Sequence, residues 1–269
     1  MIDRRQSRSA KLMVLVLFIG LGAPVAMAQT LTCWFAPDSD SADCKVITDA
    51  LMKEAHVAIR PRVSYTYTEV IQAFSSDRPQ LAYIGSFVSA ILQARGLGAP
   101  LVQKVDGREL YAGIMIYPRG QDPAMVLNTQ GDQIAYSAGS SAGESSAKAA
   151  TGGKASIRAR SNLAAAIDVV TGKAKAAFVK STWWTDNHDD FPDLESFAVP
   201  GISEPKNPDN ILWASKTVPP ATRDNLIRAA KEASDAFGAK EMRDFDPKSL
   251  AFSLDLMKRS GIDAQTYSW

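Results

Sequence analysis

Apolar residues along the chain repeat with two periods, and their alternation predicts a mixed α/β protein. Short apolar or β-branched runs predict strands over residues 31–36, 57–63, 81–85, 110–117, 133–136, 176–179 and 211–214. Between them, apolar residues recur at helical spacing and predict helices over about 46–55, 68–74, 87–94, 162–171 and 221–237, with a short helix from Gly143. Strands that alternate with helices in this way are typical of parallel βαβ units.

The βαβ pattern starts again after residue 117, which predicts two lobes. We expect residues 29–117 to form the first part of lobe 1 and residues 118–210 to form lobe 2. Residues 211–269 then return to lobe 1 with the C-terminal helices. Ligands of open α/β sheets bind beyond the carboxyl ends of the strands and between domains. The turns after the strands are therefore the candidate functional segments.

The first 28 residues have the pattern of a secretory signal peptide. Four basic residues precede an apolar run over 12–21, and the small residues Ala26 and Ala28 suit a cleavage site. The alternative is a transmembrane helix, which needs about 20 apolar residues, more than this run provides. We expect cleavage near Ala28 and an exported mature chain.

The charge balance argues against a nucleic-acid-binding protein. The chain has 30 basic and 29 acidic residues, and its first 28 residues carry four of the basic residues and one of the acids. The mature chain would therefore have 26 basic and 28 acidic residues, close to neutral. A nucleic-acid-binding domain is usually strongly basic.

The two cysteines, Cys33 and Cys44, both fall in the mature chain. Exported proteins meet oxidising conditions, so the pair predicts a disulfide, worth about 3 kcal/mol in the chain-entropy model. A metal site formed with His56 is the alternative, and it is disfavoured because the chain has only two histidines. We expect no metal and no cofactor.

Three turns place hydroxyl groups or glycines where a helix is predicted to begin, at residues 65–68, 84–86 and 137–143. The first N–H groups of a helix have no carbonyl partner within the helix, and the helix dipole adds positive potential there. An anion can be held at such a point largely by backbone donors. Serine and threonine also cap helices without any ligand, so it is the three turns together that predict an anion site between the lobes.

The chain resembles the phosphate/phosphite/phosphonate substrate-binding family of ABC importers, a branch of the type II periplasmic-binding proteins. The similarity is carried by YTYTEVIQAF (65–74), LAYIGSFVSAI (81–91), YSAGSSAG (136–143), VVTGKAKAAFV (169–179) and ILWASKTVPPATRDNLIRAA (211–230). It implies two lobes, joined by a two-crossing hinge, that close on a small oxyanion. The anion turn of the family, Ser-Thr-Ser-Gly, stands here as Ser140-Ser141-Ala142-Gly143, so Ala142 removes one donor. Lys175 stands where the family often has an acid.

By residue match, the resemblance places a set of turn residues near the cleft, with Ser86 and Ser140 favoured as ligand donors. The set is Tyr67, Gly85, Ser86, Tyr111, Ser137, Ser140, Ser141 and Gly143. Each tyrosine, including Tyr65, either contacts the ligand or belongs to the core.

Three further features of lobe 2 have open interpretations. Lys180, at a strand end, either neutralises the anion or is solvated. Trp183 and Trp184 either wall the cleft or pack between the lobes. The acidic run over 186–190 fits neither a zinc nor a calcium site in its spacing, and a solvated loop is expected.

The sequence therefore predicts a monomeric periplasmic solute-binding protein that delivers a phosphonate-like, phosphite or phosphate ligand to an ABC permease. A sensor subunit that presents the same closed lobes to a histidine kinase is an alternative. A secreted serine hydrolase is disfavoured: Ser141 lies in a Gly-x-Ser-x-Gly pattern, but no histidine follows His188 to serve it.

Overall fold

The computed structural model describes residues 30–37 and 39–268, so the predicted signal peptide over 1–28 lies outside the described residues. The strands are β1 Leu31–Phe35, β2 Ile59–Val63, β3 Gln80–Ile84, β4 Gly98–Val105, β5 Leu110–Tyr111, β6 Gly113–Pro118, β7 Ile134–Ser137, β8 Ile157–Ala159, β9 Ala176–Lys180, β10 Leu194–Phe197, β11 Asn207–Pro208, β12 Ile211–Ser215 and β13 Glu241–Asp244. The α-helices are α1 Ser41–Ala55, α2 Tyr67–Phe74, α3 Ser86–Ala94, α4 Pro123–Thr129, α5 Ser146–Ala150, α6 Asn162–Val170, α7 Ser181–Asn187, α8 Pro220–Glu232 and α9 Ala251–Arg259. Short 3₁₀ helices cover Gly131–Gln133, His188–Asp190, Ser234–Phe237 and Pro247–Leu250, and a π-helical turn covers Ser141–Ser145.

The first sheet has six strands in the order β13-β4-β12-β3-β1-β2. β1 pairs in parallel with β2 and β3, as the βαβ pattern predicted, whereas β12 runs antiparallel between β3 and β4. All five residues of β1 are buried. Cys33 and Phe35 face one apolar core and Trp34 faces the other. Helices cover both faces of this sheet, which explains why four of the five residues of β1 are apolar.

The second sheet has five strands in the order β10-β6-β9-β7-β8. β7 is parallel to β8 and β9, and β6 is antiparallel to β9. Its two faces also carry separate apolar cores, centred on Phe178 and Ala177. The serine-rich turn follows β7, so it lies at the carboxyl end of a central strand.

A two-stranded antiparallel pair, β5 with β11, carries the two chain segments that connect the sheets. Asn207 pairs with Tyr111, and Pro208 pairs with Leu110. The single strand predicted over 110–117 is therefore two strands, of which β6 belongs to the second sheet. Both connections run side by side, which places Tyr111 between the sheets.

The C-terminal helix α9 packs against both halves of the molecule. Phe252 and Leu256 contact an apolar core of the second sheet, whereas Leu254 and Met257 contact a core of the first sheet. In the described part of the chain, none of the helices has both the length and the apolar character that crossing a bilayer requires.

The prediction of a disulfide between Cys33 and Cys44 is wrong for this structure, which contains both as free, buried thiols. Cys33 lies in β1 and Cys44 near the start of α1, in the same apolar core. Burial raises the pKa of Cys44 from 9.0 to about 11, and burial raises the pKa of Cys33 still further. Packing rather than a covalent link therefore joins β1 to α1 here.

Candidate functional site

A cavity of about 760 Å³ lies between the two sheets, lined by residues of both. Of the predicted site residues, those in its lining are Tyr67, Gly85, Tyr111, Ser137, Ser140 and Lys180. Ser86, Ser141 and Gly143 are buried and lie outside that lining. The structure thus brings the three predicted turns to one region. Some of their residues line the cavity, and the others are buried behind that lining.

The serine turn is held in shape by its own hydroxyl group. Ser140 has an extended backbone, accepts a 3.0 Å hydrogen bond from Gly143 N, and donates a 2.9 Å hydrogen bond to Ser137 O. A Cβ at position 143 would lie 2.5 Å from Ser137 O, so only glycine fits there. The Ser140 hydroxyl group is therefore used within the turn, as acceptor and as donor.

The two lobes touch through a pair of serines. Ser86 Oγ, at the start of α3, donates a 2.9 Å hydrogen bond to Ser141 Oγ in the π-helical turn, and Tyr111 OH lies 2.8 Å from Ser86 Oγ. Burial, with a smaller effect of Asp209, raises the pKa of Tyr111 well above its usual range. Three neutral hydroxyl groups therefore meet where the helix starts of both lobes converge.

Lys180 forms an ion pair with Asp209, a residue that the sequence analysis did not select. Lys180 Nζ also lies 4.9 Å from the centre of the Tyr111 ring. Asp209 Oδ1 is 3.2 Å from the position of a Cβ on Gly85, so this carboxylate sits beside the start of α3. The lysine charge is thus already balanced, and a bound anion must rely on hydroxyl and backbone dipoles. In sequence, Asp209 lies in an Asn-Pro-Asp-Asn segment that is typical of a turn.

Glu144 supports the serine turn from behind. Its carboxylate is almost fully buried and accepts hydrogen bonds from Gly139 N at 2.8 Å, Lys148 Nζ at 2.6 Å and Tyr267 OH at 2.6 Å. Charge-assisted hydrogen bonds of this kind are stronger than neutral ones. Glu144 therefore fixes the conformation of the turn, and neither it nor Tyr267 was selected from the sequence.

Aromatic side chains form another part of the cavity wall. Tyr83 packs edge-to-face against Phe35 and Phe237, with ring centroids 6.2 and 5.4 Å apart. Trp183 also lines the cavity, whereas Trp184 is buried in a core of the second sheet. The adjacent indoles therefore have different roles, because successive residues of α7 face different directions.

The geometry offers no support for hydrolysis at Ser141. Its hydroxyl partner is Ser86, while His188 Nδ1 lies 3.1 Å from the Thr185 carbonyl on an exposed helix end. Asp186, from the acidic run, pairs with Arg108 at 2.8 Å. Among the residues that the structure describes, no three or more His, Cys, Asp and Glu side chains are grouped so as to hold a metal ion.

Comparison with known proteins gives a family match over most of the chain. The model of the ABC-transporter phosphonate periplasmic substrate-binding proteins matches residues 34–247. No curated protein sequence matches significantly.

Solved structures share the fold at low sequence identity. PhnD1 from Prochlorococcus marinus, solved with methylphosphonate, is 16% identical with a TM-score of 0.65, covering 87% of this chain and 99% of that one. A binding protein component of an ABC phosphonate transporter from Pseudomonas aeruginosa is 12% identical with a TM-score of 0.68, covering 86% and 88%. A Xanthomonas citri protein solved with ATP is 14% identical with a TM-score of 0.68, covering 87% and 97%.

Proposed function

The chain belongs to the phosphonate family of periplasmic substrate-binding proteins of ABC transporters, and from this premise we propose where and how it holds its ligand. The oxyanion lies between the start of α3 and the serine turn, and it replaces the hydrogen bond that now joins Ser86 to Ser141. The observation that carries the proposal is that 2.9 Å contact, because it brings the hydroxyl groups of two helix starts together across the cleft.

Neutral hydrogen-bond donors can hold the oxyanion at this position. The positive charge of Lys180 is offset by Asp209, so the hydroxyl groups and the N–H groups of the turn carry most of the interaction. Hydrogen bonds to a charged group contribute about 1.5–3 kcal/mol each. An anion enclosed in this way exchanges its water shell for fixed dipoles.

The hinge in this proposal is the paired strands β5 and β11. Residues 31–105 and 211–268 form lobe 1, residues 113–197 form the sheet of lobe 2, and the two connecting strands bend as the lobes close. This arrangement is a refinement of the predicted boundaries near residues 117 and 210. Tyr111 lies in β5 and contacts Ser86, so a ligand at the serines also contacts the hinge.

The family is the substrate-binding component of ABC importers and is periplasmic. On this basis we assign the receiving partner as an ABC permease rather than a sensor kinase, with export through cleavage near Ala28. We assign no catalytic activity. Ser141 meets Ser86 rather than a histidine, which supports a role in binding.

Isothermal titration calorimetry tests the proposal, with methylphosphonate, phosphite, phosphate and sulfate as probes. At least one phosphorus oxyanion is expected to bind more tightly than sulfate. Ser141→Ala is expected to weaken that binding by about 1–3 kcal/mol, the range for a lost partner of a charged group. Ser145→Ala is the matched control, because the hydroxyl of Ser145 is buried in the same turn and has no hydrogen-bond partner in the described structure. Equal affinities of both variants and the parent protein would contradict the site assignment.

A further inference from the structure

The cavity is several times larger than a small oxyanion requires. Methylphosphonate has five non-hydrogen atoms, which at roughly 30 Å³ each, the share of one water in the liquid, fill about 150 Å³. The cavity measures about 760 Å³. The excess is not a gap between the helix starts, because Ser86 and Ser141 are hydrogen-bonded there at 2.9 Å. The remaining space extends away from the serine turn.

Much of that remaining space is bounded by apolar side chains of lobe 1. Phe35, Tyr83 and Phe237 form the edge-to-face cluster described above, and Ile47 and Val88 also line the cavity. Such a cluster is a rigid apolar surface. Burying an apolar group of a ligand against it removes apolar area from water, which favours binding. A ligand that consists only of an oxyanion and a methyl group makes little use of this surface.

Acidic residues limit the charge of a larger ligand. Asp40, Asp43 and Asp235, all from lobe 1, line the same cavity. The carboxylate of Asp40 accepts hydrogen bonds from Ala42 N at 2.7 Å and Asp43 N at 3.2 Å, so it already occupies the start of α1. Lys104 also lines the cavity, but its charge is paired with Asp106 at 3.0 Å. A second anionic group would therefore meet the three carboxylates with little positive charge to offset the repulsion.

We propose that the natural ligand is a phosphonate or phosphate monoester whose organic group is aromatic or branched apolar and carries no negative charge. This inference rests on the proposed function, since the serine turn must hold the oxyanion. The organic group then lies against Phe35, Tyr83 and Phe237, and its size separates this ligand from methylphosphonate.

Calorimetry on the exported protein with methylphosphonate, benzylphosphonate and ATP tests this inference. Benzylphosphonate is expected to bind at least tenfold more tightly than methylphosphonate, and ATP more weakly than either. If methylphosphonate binds as tightly as benzylphosphonate or more tightly, the inference is wrong and the proposed function stands. Tighter binding of ATP than of benzylphosphonate overturns the exclusion of a second anionic group. If none of the three binds, the inference is wrong, and the titrations with phosphite and phosphate decide whether the proposed function stands.

A substitution in the cluster of Phe35, Tyr83 and Phe237 separates the contribution of the organic group to the affinity from that of the oxyanion. Phe237→Leu keeps an apolar side chain but removes the ring, so the affinity for benzylphosphonate is expected to fall at least threefold while that for methylphosphonate stays within twofold. Phe237 is buried, so thermal unfolding first establishes that the variant folds. Val46→Ser, at an exposed residue of the same lining, is the second variant and is expected to lower the same ratio. An unchanged ratio of the two affinities in folded variants would overturn the proposed location of the organic group.

Discussion

The hydroxyl group of Tyr267 donates a 2.6 Å hydrogen bond to Glu144 Oε1, so the C-terminal segment of the chain reaches the serine turn of lobe 2. The Tyr267 ring also packs edge-to-face on Phe87, with ring centroids 5.4 Å apart. Phe87 follows Ser86 directly, and Glu144 follows Gly143. One side chain near the C-terminus therefore contacts the segments that carry both helix starts of the site.

Replacing Tyr267 with Phe is expected to lower the free energy of unfolding by about 1–3 kcal/mol, because a buried carboxylate loses one of its donors. The affinity for the oxyanion should fall as well, since Glu144 fixes the turn through Gly139 N. Urea denaturation and calorimetry measure the two effects. Tyr65→Phe is the control, because Tyr65 is 77% exposed. Equal stability of both variants would show that the contact between Tyr267 and Glu144 contributes nothing.

The ion pair of Lys180 with Asp209 predicts opposite effects for its two members. Lys180→Met leaves a buried carboxylate unpaired beside the anion and should weaken oxyanion binding at least tenfold. Asp209→Asn frees the lysine and removes a negative charge, so binding should become tighter and more sensitive to salt. Titrations at two ionic strengths test both variants. A shift of both affinities in the same direction would contradict this account of the charge balance.

Restoring the missing hydroxyl of the anion turn should strengthen binding. Ala142 is buried and lines the cavity, so Ala142→Ser adds a donor near the helix start, and a gain of about 0.5–1.5 kcal/mol is expected for one hydrogen bond. Calorimetry with the best phosphorus oxyanion gives the value. Ala138→Ser, in the same turn but outside the lining, is the control. A loss of affinity in Ala142→Ser with normal folding would show that the space is needed by the ligand.

Tyr83→Phe is expected to be neutral or stabilising. The hydroxyl of Tyr83 is buried without a hydrogen-bond partner in the described structure, and an unsatisfied buried polar group costs about 1–3 kcal/mol. Burial raises the pKa of this phenol well above its usual range. Denaturant unfolding of Tyr83→Phe beside the parent protein measures the change. A clear loss of stability would reveal a partner for this hydroxyl.

The buried thiols predict a decrease in stability at alkaline pH. The pKa of Cys44 is raised from 9.0 to about 11, so the folded state holds the thiol proton more tightly than the unfolded state does. This contribution is fully present below pH 9 and is lost as the pH rises to about 11. We measure the difference in unfolding free energy between the parent protein and Cys44→Ala from pH 8 to 11. This difference isolates the contribution of the Cys44 thiol from the contributions of the tyrosine side chains. A difference that is independent of pH would contradict the shift.

Some elements were predictable because their signal is local. Each of β1, β3 and β9 is mostly apolar, as a strand buried on both faces requires. The family was also recognisable from short turns such as the one over 136–143. The sequence analysis missed β4, β8, β10, β11 and β13, because β4 contains Pro100 and the other four are short and carry polar or charged residues.

The local pattern also misplaced some boundaries and contacts. Residues 181–187 form a helix that the sequence analysis did not predict, so Trp183 reaches the cavity while Trp184 is buried. The predicted helix over 221–237 ends at Glu232 and continues as a 3₁₀ turn that brings Phe237 into the cavity wall. The cysteine count suggested a disulfide, whereas the structure packs both thiols in the core.

The sequence by itself determined the α/β class, the family and the position of the serine-rich turn after β7, because periodicity and turn composition are properties of neighbouring residues. Only the tertiary structure decided which groups surround that turn. Asp209 comes to Lys180, Tyr267 to Glu144 and Ser86 to Ser141 from 29, 123 and 55 positions away. Such pairs are set by how the sheets and crossing strands fold back on each other, and no local pattern records that geometry.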